Sequence, residues 1–257
     1  MIGCIIQART GSTRLPKKVL LNIDEKNTVL SFVIEQVKNS KKIEKIIVAT
    51  TNLKEDDEIE ELVIKLGVEC FRGSETDVLD RYYNCAKQFK FDTIVRITSD
   101  CPLIDPQIID KIIENFNSNI DDYVSNTLEN SYPKGLDVEV FTFSSLEKSW
   151  RESTLPSHRE HVTQYIRNSN YFRIKNFKNK EDFSGMRCTL DRKEDLEFIR
   201  QIIKRIKKRP ITMKDIICVL NEEPDLIKIN QNIDPNEGFN KSKMEDEIFK
   251  KQGRLEL

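Results

Sequence analysis

Ile5-Ile6-Gln7-Ala8-Arg9-Thr10-Gly11-Ser12-Thr13-Arg14-Leu15-Pro16-Lys17-Lys18-Val19-Leu20 decides how this chain reads. The stretch begins as an apolar strand and breaks into a loop of small residues. Arg9, Arg14, Lys17 and Lys18 surround Gly11, Ser12 and Thr13 in that loop. A strand that feeds such a loop is how α/β proteins offer backbone N–H groups and cations to phosphates. Neither GxxxxGK[ST] nor GxGxxG occurs, so the loop is neither a P-loop nor a dinucleotide-binding turn. A glycine ringed by cations suits a triphosphate held while one phosphorus is attacked. An ordinary solvated basic loop is the alternative.

Apolar runs and helical periodicity alternate on either side of this loop. Gly3–Gln7, Lys45–Thr50, Val68–Phe71 and Thr93–Thr98 read as buried strands. Val29–Lys38, the Ile59-Leu62-Val63-Leu66 stripe ending at Gly67, Asp77–Phe89 and Ile108–Phe116 read as helices. Repeated βα units of this length predict a mainly parallel sheet with helices on both faces. The rhythm changes after about Asp121. Strands are expected at Tyr123–Thr127, Asp137–Phe143, Tyr171–Asn176 and Arg187–Leu190, and helices at Ser144–Arg151 and Glu194–Lys207. Thr212 and Asp215 form a capping-box pattern for a further helix. Phe239–Lys251 reads as an amphipathic helix, followed by a mobile end. The division expected is a main domain over 1–210, with an insertion at about 123–176, and a C-terminal helical appendage and tail over 211–257.

Composition narrows the function. The 42 Lys and Arg nearly balance the 43 Asp and Glu, for a net charge of −1, which argues against a nucleic-acid partner. No apolar run approaches the ~20 residues of a membrane span. The six cysteines form no CxxC and read as reduced, packed thiols of a cytoplasmic protein. Cys101 follows Asp100 but has no nearby histidine in sequence, so packing is favoured over a nucleophilic role.

Three further segments carry chemistry. In Ser99-Asp100-Cys101-Pro102-Leu103-Ile104-Asp105, Asp100 follows a buried strand and stands at its carboxyl edge, where open α/β sheets bind ligands. A carboxylate there suits Mg2+, which takes few protein oxygens and keeps several waters. Asp105-Pro106 reads instead as an N-cap and first helical residue. Arg187-Cys188-Thr189-Leu190-Asp191 delivers a second carboxylate, which either joins Asp100 at a metal or caps the following helix. Gly73-Ser74 opens a helix in which Arg81 either reaches a ligand or pairs with Asp77 at i,i+4. Arg96 lies within the buried strand TIVRIT and must face the cleft or meet an acid. Asp137 and Glu139 alternate on one strand face. His158 and His161 share a helical face but lack a third zinc ligand.

The opening loop resembles the A-R-x-x-S-x-R-[LI]-P-x-K signature of the CMP-sugar synthetases, which include the 3-deoxy-manno-octulosonate and acylneuraminate cytidylyltransferases. The matching residues are Ala8, Arg9, Ser12, Arg14, Leu15, Pro16 and Lys18, with Gly11 and Thr13 between them. Position 17, often Gly in that family, is Lys17 here. Its extra charge either tightens triphosphate binding or faces solvent. Asp100-Cys101-Pro102-Leu103 resembles the family's [GS]-D-x-P-L-[IL] element, and Asp191 with Asp195-Leu196 its strand-Asp-x-x-x-Asp-Leu element. GLDVEVF and REHVT are similar to the branch associated with spore-coat polysaccharide biosynthesis. The resemblance spans roughly Ile2 to Ile206. It implies a Rossmann-like nucleotidyltransferase fold of GT-A type, in three layers, with a small β-rich dimerisation insertion. It implies a Mg2+-dependent cytidylyltransferase that takes CTP and a small-molecule acceptor and acts as a homodimer. Arg9, Lys18 and Asp100 become the catalytic candidates. Ala8, Arg9, Gly11, Ser12, Arg14, Lys18, Gly73, Ser74, Arg81 and Asp100 become nucleotide-binding candidates. Asp100 and Asp191 become metal ligands, and Arg96, Asp137, Glu139, Arg159 and His161 acceptor-binding candidates. The rivals are a transferase using GTP or UTP, a glycosyltransferase, which would usually carry a DxD that is missing here, and a non-catalytic nucleotide-binding protein.

Overall fold

A computed structural model describes residues 1–234, 242 and 244–251. Its centre is one seven-stranded sheet in the order β3-β2-β1-β4-β6-β5-β7. The strands are β1 (Ile2–Gln7), β2 (Lys45–Thr51), β3 (Glu69–Gly73), β4 (Thr93–Thr98), β5 (Tyr123–Ser125), β6 (Glu139–Thr142) and β7 (Ile174–Asn176). β1 pairs in parallel with β2 and β4, and β2 with β3. β6 runs antiparallel to both β4 and β5, and β7 is parallel to β5. The change of rhythm after Asp121 is this reversal. The strands of the expected insertion continue the central sheet.

The parallel strands read as continuous apolar runs because both their faces are covered. Side chains alternate across the sheet: Cys4 and Ile6 enter one core and Ile5 the other, as Val48 does opposite Ile47 and Ala49. The first core lies under α1 (Val29–Lys38), α2 (Asp57–Lys65), α4 (Pro106–Asn115), α8 (Lys193–Arg205) and α9 (Met213–Glu222). The second lies under α3 (Val78–Gln88), α5 (Phe143–Glu152) and α7 (Gln164–Asn168), with α6 (Pro156–His161) packed against α3. The segment expected as an appendage sends Ile211, Ile216 and Leu220 into the first core. The buried Gln36 amide fastens it further, donating to Ile211 O at 2.7 Å and accepting from Ile211 N at 2.9 Å.

Caps fix helix ends where the sequence predicts them. Gly67 ends α2 at φ 67°, and the Asp105 carboxylate accepts from Gln107 N at 2.7 Å at the start of α4. Arg187–Leu190 corrects an expectation, for among the described residues it forms no strand and makes only one bridge, Lys134 to Arg187. Its backbone bonds to loops instead. The Cys188 N–H donates to Lys134 O at 2.6 Å, and the Leu190 N–H to Asp100 O at 2.8 Å. Gly135 makes this threading possible. It has φ 101°, and a Cβ there would lie 2.5 Å from Thr189 N. Of the expected helix Phe239–Lys251, residues 244–251 are helical, while 239–241 and 243 lie outside the described residues.

Candidate active site

The carboxyl ends of β1 and β4 open on a cleft of about 510 Å3. The loop after β1 is built first. Ala8 N continues the sheet pairing to Ala49 O at 3.1 Å. The buried Asp56 then accepts from Thr10 N at 2.8 Å and Thr10 Oγ1 at 2.7 Å, and takes a further bond from Thr51 Oγ1. The chain returns through Lys17 N to Thr10 O at 3.1 Å. Lys17 itself sits at φ 52°, ψ 27°, the left-handed region that glycine enters without cost. Its ammonium pairs at 2.5 Å with Glu58 on the surface. Its charge therefore faces solvent.

Lys18 begins a short 3-10 turn and is 9% exposed. Its Nζ donates to Asp100 Oδ2, Asp191 Oδ1 and Leu190 O, each at 2.8 Å. Arg14 adds a 2.8 Å bond to Asp191 Oδ1. Burial alone would raise the pKa values of the two aspartates and lower that of Lys18. The mutual attraction outweighs it, so both carboxyls are held below their ordinary values and the ammonium above its own. Asp191 does not cap α8. That work falls to Asp195, which accepts from the Asp191 and Arg192 N–H groups at 2.9 and 3.0 Å and binds Arg187 Nε at 2.8 Å. Asp191 is thereby left to face the cleft. Asp100 and Asp191 converge on one cation, and such a pair of hard carboxylates has the chemistry to hold Mg2+, which takes few protein oxygens.

Ala8, Arg9, Gly11, Ser12, Arg14, Lys18, Arg81, Arg96, Asp100, Asp137, His161 and Asp191 all line this cleft. Gly73 and Ser74 do not line it; they serve it indirectly, with Arg81 Nη1 donating to Ser74 O at 3.0 Å. The expected Asp77–Arg81 pair is replaced. Asp77 caps α3 through Asp80 N at 2.8 Å and pairs with Arg159 Nε at 2.8 Å. Arg159 also donates to Trp150 O at 2.7 Å. It ties α6 to α3 and α5 and is not among the residues lining the cleft.

Glu139 and Asp137 do not share a face in use, because β6 begins only at Glu139. Glu139, 4% exposed, is the cross-strand partner of Arg96 and binds its guanidinium. It also accepts from Tyr123 Oη at 2.6 Å and Thr163 Oγ1 at 2.7 Å. Burial favours its neutral form, but Arg96 and Arg167 prevail and hold it ionised. Glu139 is thus a buried counter-ion and does not line the cleft. Asp137 does line it, and burial pushes its carboxyl up to about 6. The Cys101 thiol, 2% exposed, bonds Thr98 Oγ1 at 3.2 Å, and burial and Asp100 push it well above its ordinary value. That is a packed thiol and not a nucleophile.

Several lining residues escaped the sequence reading: Gln7, Lys134, Glu160, Ser242 and Glu245. Gln7 could have been found, as a polar amide closing an apolar strand at its carboxyl edge. Glu160 contacts the cleft through a 3.1 Å pair with Arg9. Asp56, the anchor of the loop, had no signal, since its partners lie in two other segments.

A mainly parallel sheet with a cation-lined loop over two facing carboxylates defines a nucleotidyltransferase-type fold. Residues 3–225 match the family model described as Cytidylyltransferase, and the chain belongs to that family. It is 44% identical over 232 residues to an uncharacterized protein of Methanocaldococcus jannaschii, covering 89% of this chain and 94% of that one. It is 36% identical over 232 residues to the spore coat polysaccharide biosynthesis protein SpsF of Bacillus subtilis, covering 86% and 94%. Among solved structures, a cytidylyltransferase from Leptospira borgpetersenii superposes with a TM-score of 0.86 at 38% identity, over 91% of this chain and 98% of that one.

Proposed function

We propose that this protein transfers CMP from CTP to a sugar-acid, phosphorylated or phosphonate acceptor and releases pyrophosphate, in the cytoplasm and as a homodimer. The carrying observation is the convergence of Lys18, Asp100 and Asp191 at 2.8 Å beneath the loop that holds Arg9 and Arg14. In the transfer an acceptor oxygen forms a bond to the α-phosphorus, and the bond from that phosphorus to the bridging oxygen breaks. Pyrophosphate leaves with the bonding electrons. Arg9, Arg14 and Lys18 supply fixed positive charge where negative charge gathers on the leaving group, with little reorganisation during reaction. Gly11, without a side chain, lets the loop backbone approach the same phosphates. Asp100 and Asp191 are the residues that would hold Mg2+, which when bound neutralises phosphate oxygens as a Lewis acid. Arg96, Asp137 and His161 are assigned to the acceptor half. The likeness to a spore-coat polysaccharide protein supports a precursor of a surface polysaccharide as the product class.

The test has two stages. Calorimetric titration with each of the four NTPs and Mg2+ should give tightest binding for CTP. Pyrophosphate release is then screened across sugar-acid, phosphorylated and phosphonate acceptors. Clear preference for GTP or UTP would replace the base assignment, and nucleotide binding without release across the panel would favour a binding protein.

A further inference from the structure

Ser242 and Glu245 line the same cleft as Arg9 and Asp100, yet both lie beyond the stretch 3–225 that carries the family match. Their segment is held in place by α6. The Ser157 N–H, in the first turn of α6, has no partner within the helix, and Leu155 at the N-cap supplies none from its side chain. Asp246 supplies it from the far end of the chain. It is 8% exposed and accepts from Ser157 N at 2.9 Å and Ser157 Oγ at 2.6 Å. His161 Nε2, at the other end of α6, lies 2.8 Å from Ser242 Oγ. Two contacts, one at each end of α6, thus join the C-terminal helix to the element that carries Glu160 and His161 into the cleft.

The nucleotide motifs are complete within 3–225, so a wall added from outside that stretch serves the substrate that differs between family members. We infer that Ser242 and Glu245 are specificity-determining residues for the acceptor, and that Asp246 and Ser157 position them. This rests on the transferase reading above. A carboxylate accepts hydrogen bonds and donates none. Glu245 therefore fits a hydroxyl or ammonium group of the acceptor and disfavours a second anionic group at that place. Ser242, hydrogen-bonded to His161, fits a neutral polar group beside it.

The test uses the full-length protein with Glu245→Gln and Asp246→Asn. Hydrogen exchange at the Ser157 amide should quicken in Asp246→Asn and not in Glu245→Gln. CTP affinity by calorimetry should stay within about twofold in both. Pyrophosphate release is measured with sugar acids paired with and without an amino group. The acceptor KM should rise roughly tenfold, the loss of about one hydrogen bond to a bound group, with kcat little changed. A rise confined to amino acceptors in Glu245→Gln identifies an ammonium ligand, and an equal rise for both identifies a hydroxyl. Unchanged acceptor KM in both variants overturns the inference, as does unchanged Ser157 exchange in Asp246→Asn. Wild-type protein that fails to bind CTP would overturn the transferase reading instead, and the exchange measurement separates the two failures.

Discussion

Asp100 and Asp191 meet at a single atom: Oδ2 of the first and Oδ1 of the second each accept a 2.8 Å hydrogen bond from Lys18 Nζ. Two like charges this close are stable only with the cation between them, which ties the loop after β1 to the ends of two distant segments. Asp100→Asn and Asp191→Asn should each lower kcat by roughly 10² or more, as expected for loss of charge that stabilises a transition state. Circular dichroism should remain native. An Asp100→Asn protein of full activity would remove these residues from the chemistry.

Glu139 is expected to act on stability. Glu139→Ala leaves Arg96 buried without its counter-ion, which typically costs about 3–5 kcal/mol. Urea unfolding should show that loss. A stable Glu139→Ala protein with a raised acceptor KM would return Glu139 to the acceptor site.

Asp137 gives a pH signature. Its folded pKa of about 6 lies above the ordinary 3.8. Between those values the native state holds more protons than the unfolded chain, so this group's contribution to stability is lost as pH rises through about 6. Asp137→Asn should therefore stabilise the nucleotide-free protein at pH 7.5, on the order of 1–2 kcal/mol, and do little at pH 4. Denaturant midpoints at the two pH values check this. Equal effects at both would contradict it.

Lys17 occupies a left-handed conformation and makes one exposed ion pair. Lys17→Gly should relieve about 1 kcal/mol of backbone cost, partly offset by a looser unfolded chain, and leave CTP affinity unchanged. A loss of CTP binding greater than about tenfold would place this charge on the triphosphate.

Dimerisation through the region 123–176 is expected from the edge strand β7, whose Ile174 is 41% exposed and lies near Tyr171 at 73%. Sedimentation equilibrium should give a dimer, and Ile174→Lys should shift it toward monomer. A wild-type monomer at micromolar concentration would withdraw the expectation.

The first half of the fold was readable because parallel strands buried on both faces leave unbroken apolar runs such as KIIVAT and TIVRIT. The loop, Asp100 and Asp191 were readable because a charged residue at the end of such a run stands out. What stayed hidden was set by partners far away in the chain. Period-two alternation places Asp137 beside Glu139, but the strand starts two residues too late for the rule to apply. Arg159 looked free for a ligand until Asp77 claimed it. Arg187–Leu190 had a strand's pattern, yet its hydrogen bonds went to two loops. Nothing in residues 242–251 announced a contact with α6.

The threading of residues 187–191 between the Lys134–Gly135 turn and Asp100 also sets an order of assembly. Every element of the parallel half, and the whole cationic loop, precedes Asp191 in the chain. A ribosome therefore releases the parallel strands and the cationic loop before it releases the second carboxylate. Until that residue emerges and the Cys188-Thr189 backbone settles against Gly135, Lys18 lacks half of its anionic frame. The first core and the cleft are therefore finished together, since α8 and α9, which cover that core, follow Asp191 in the chain.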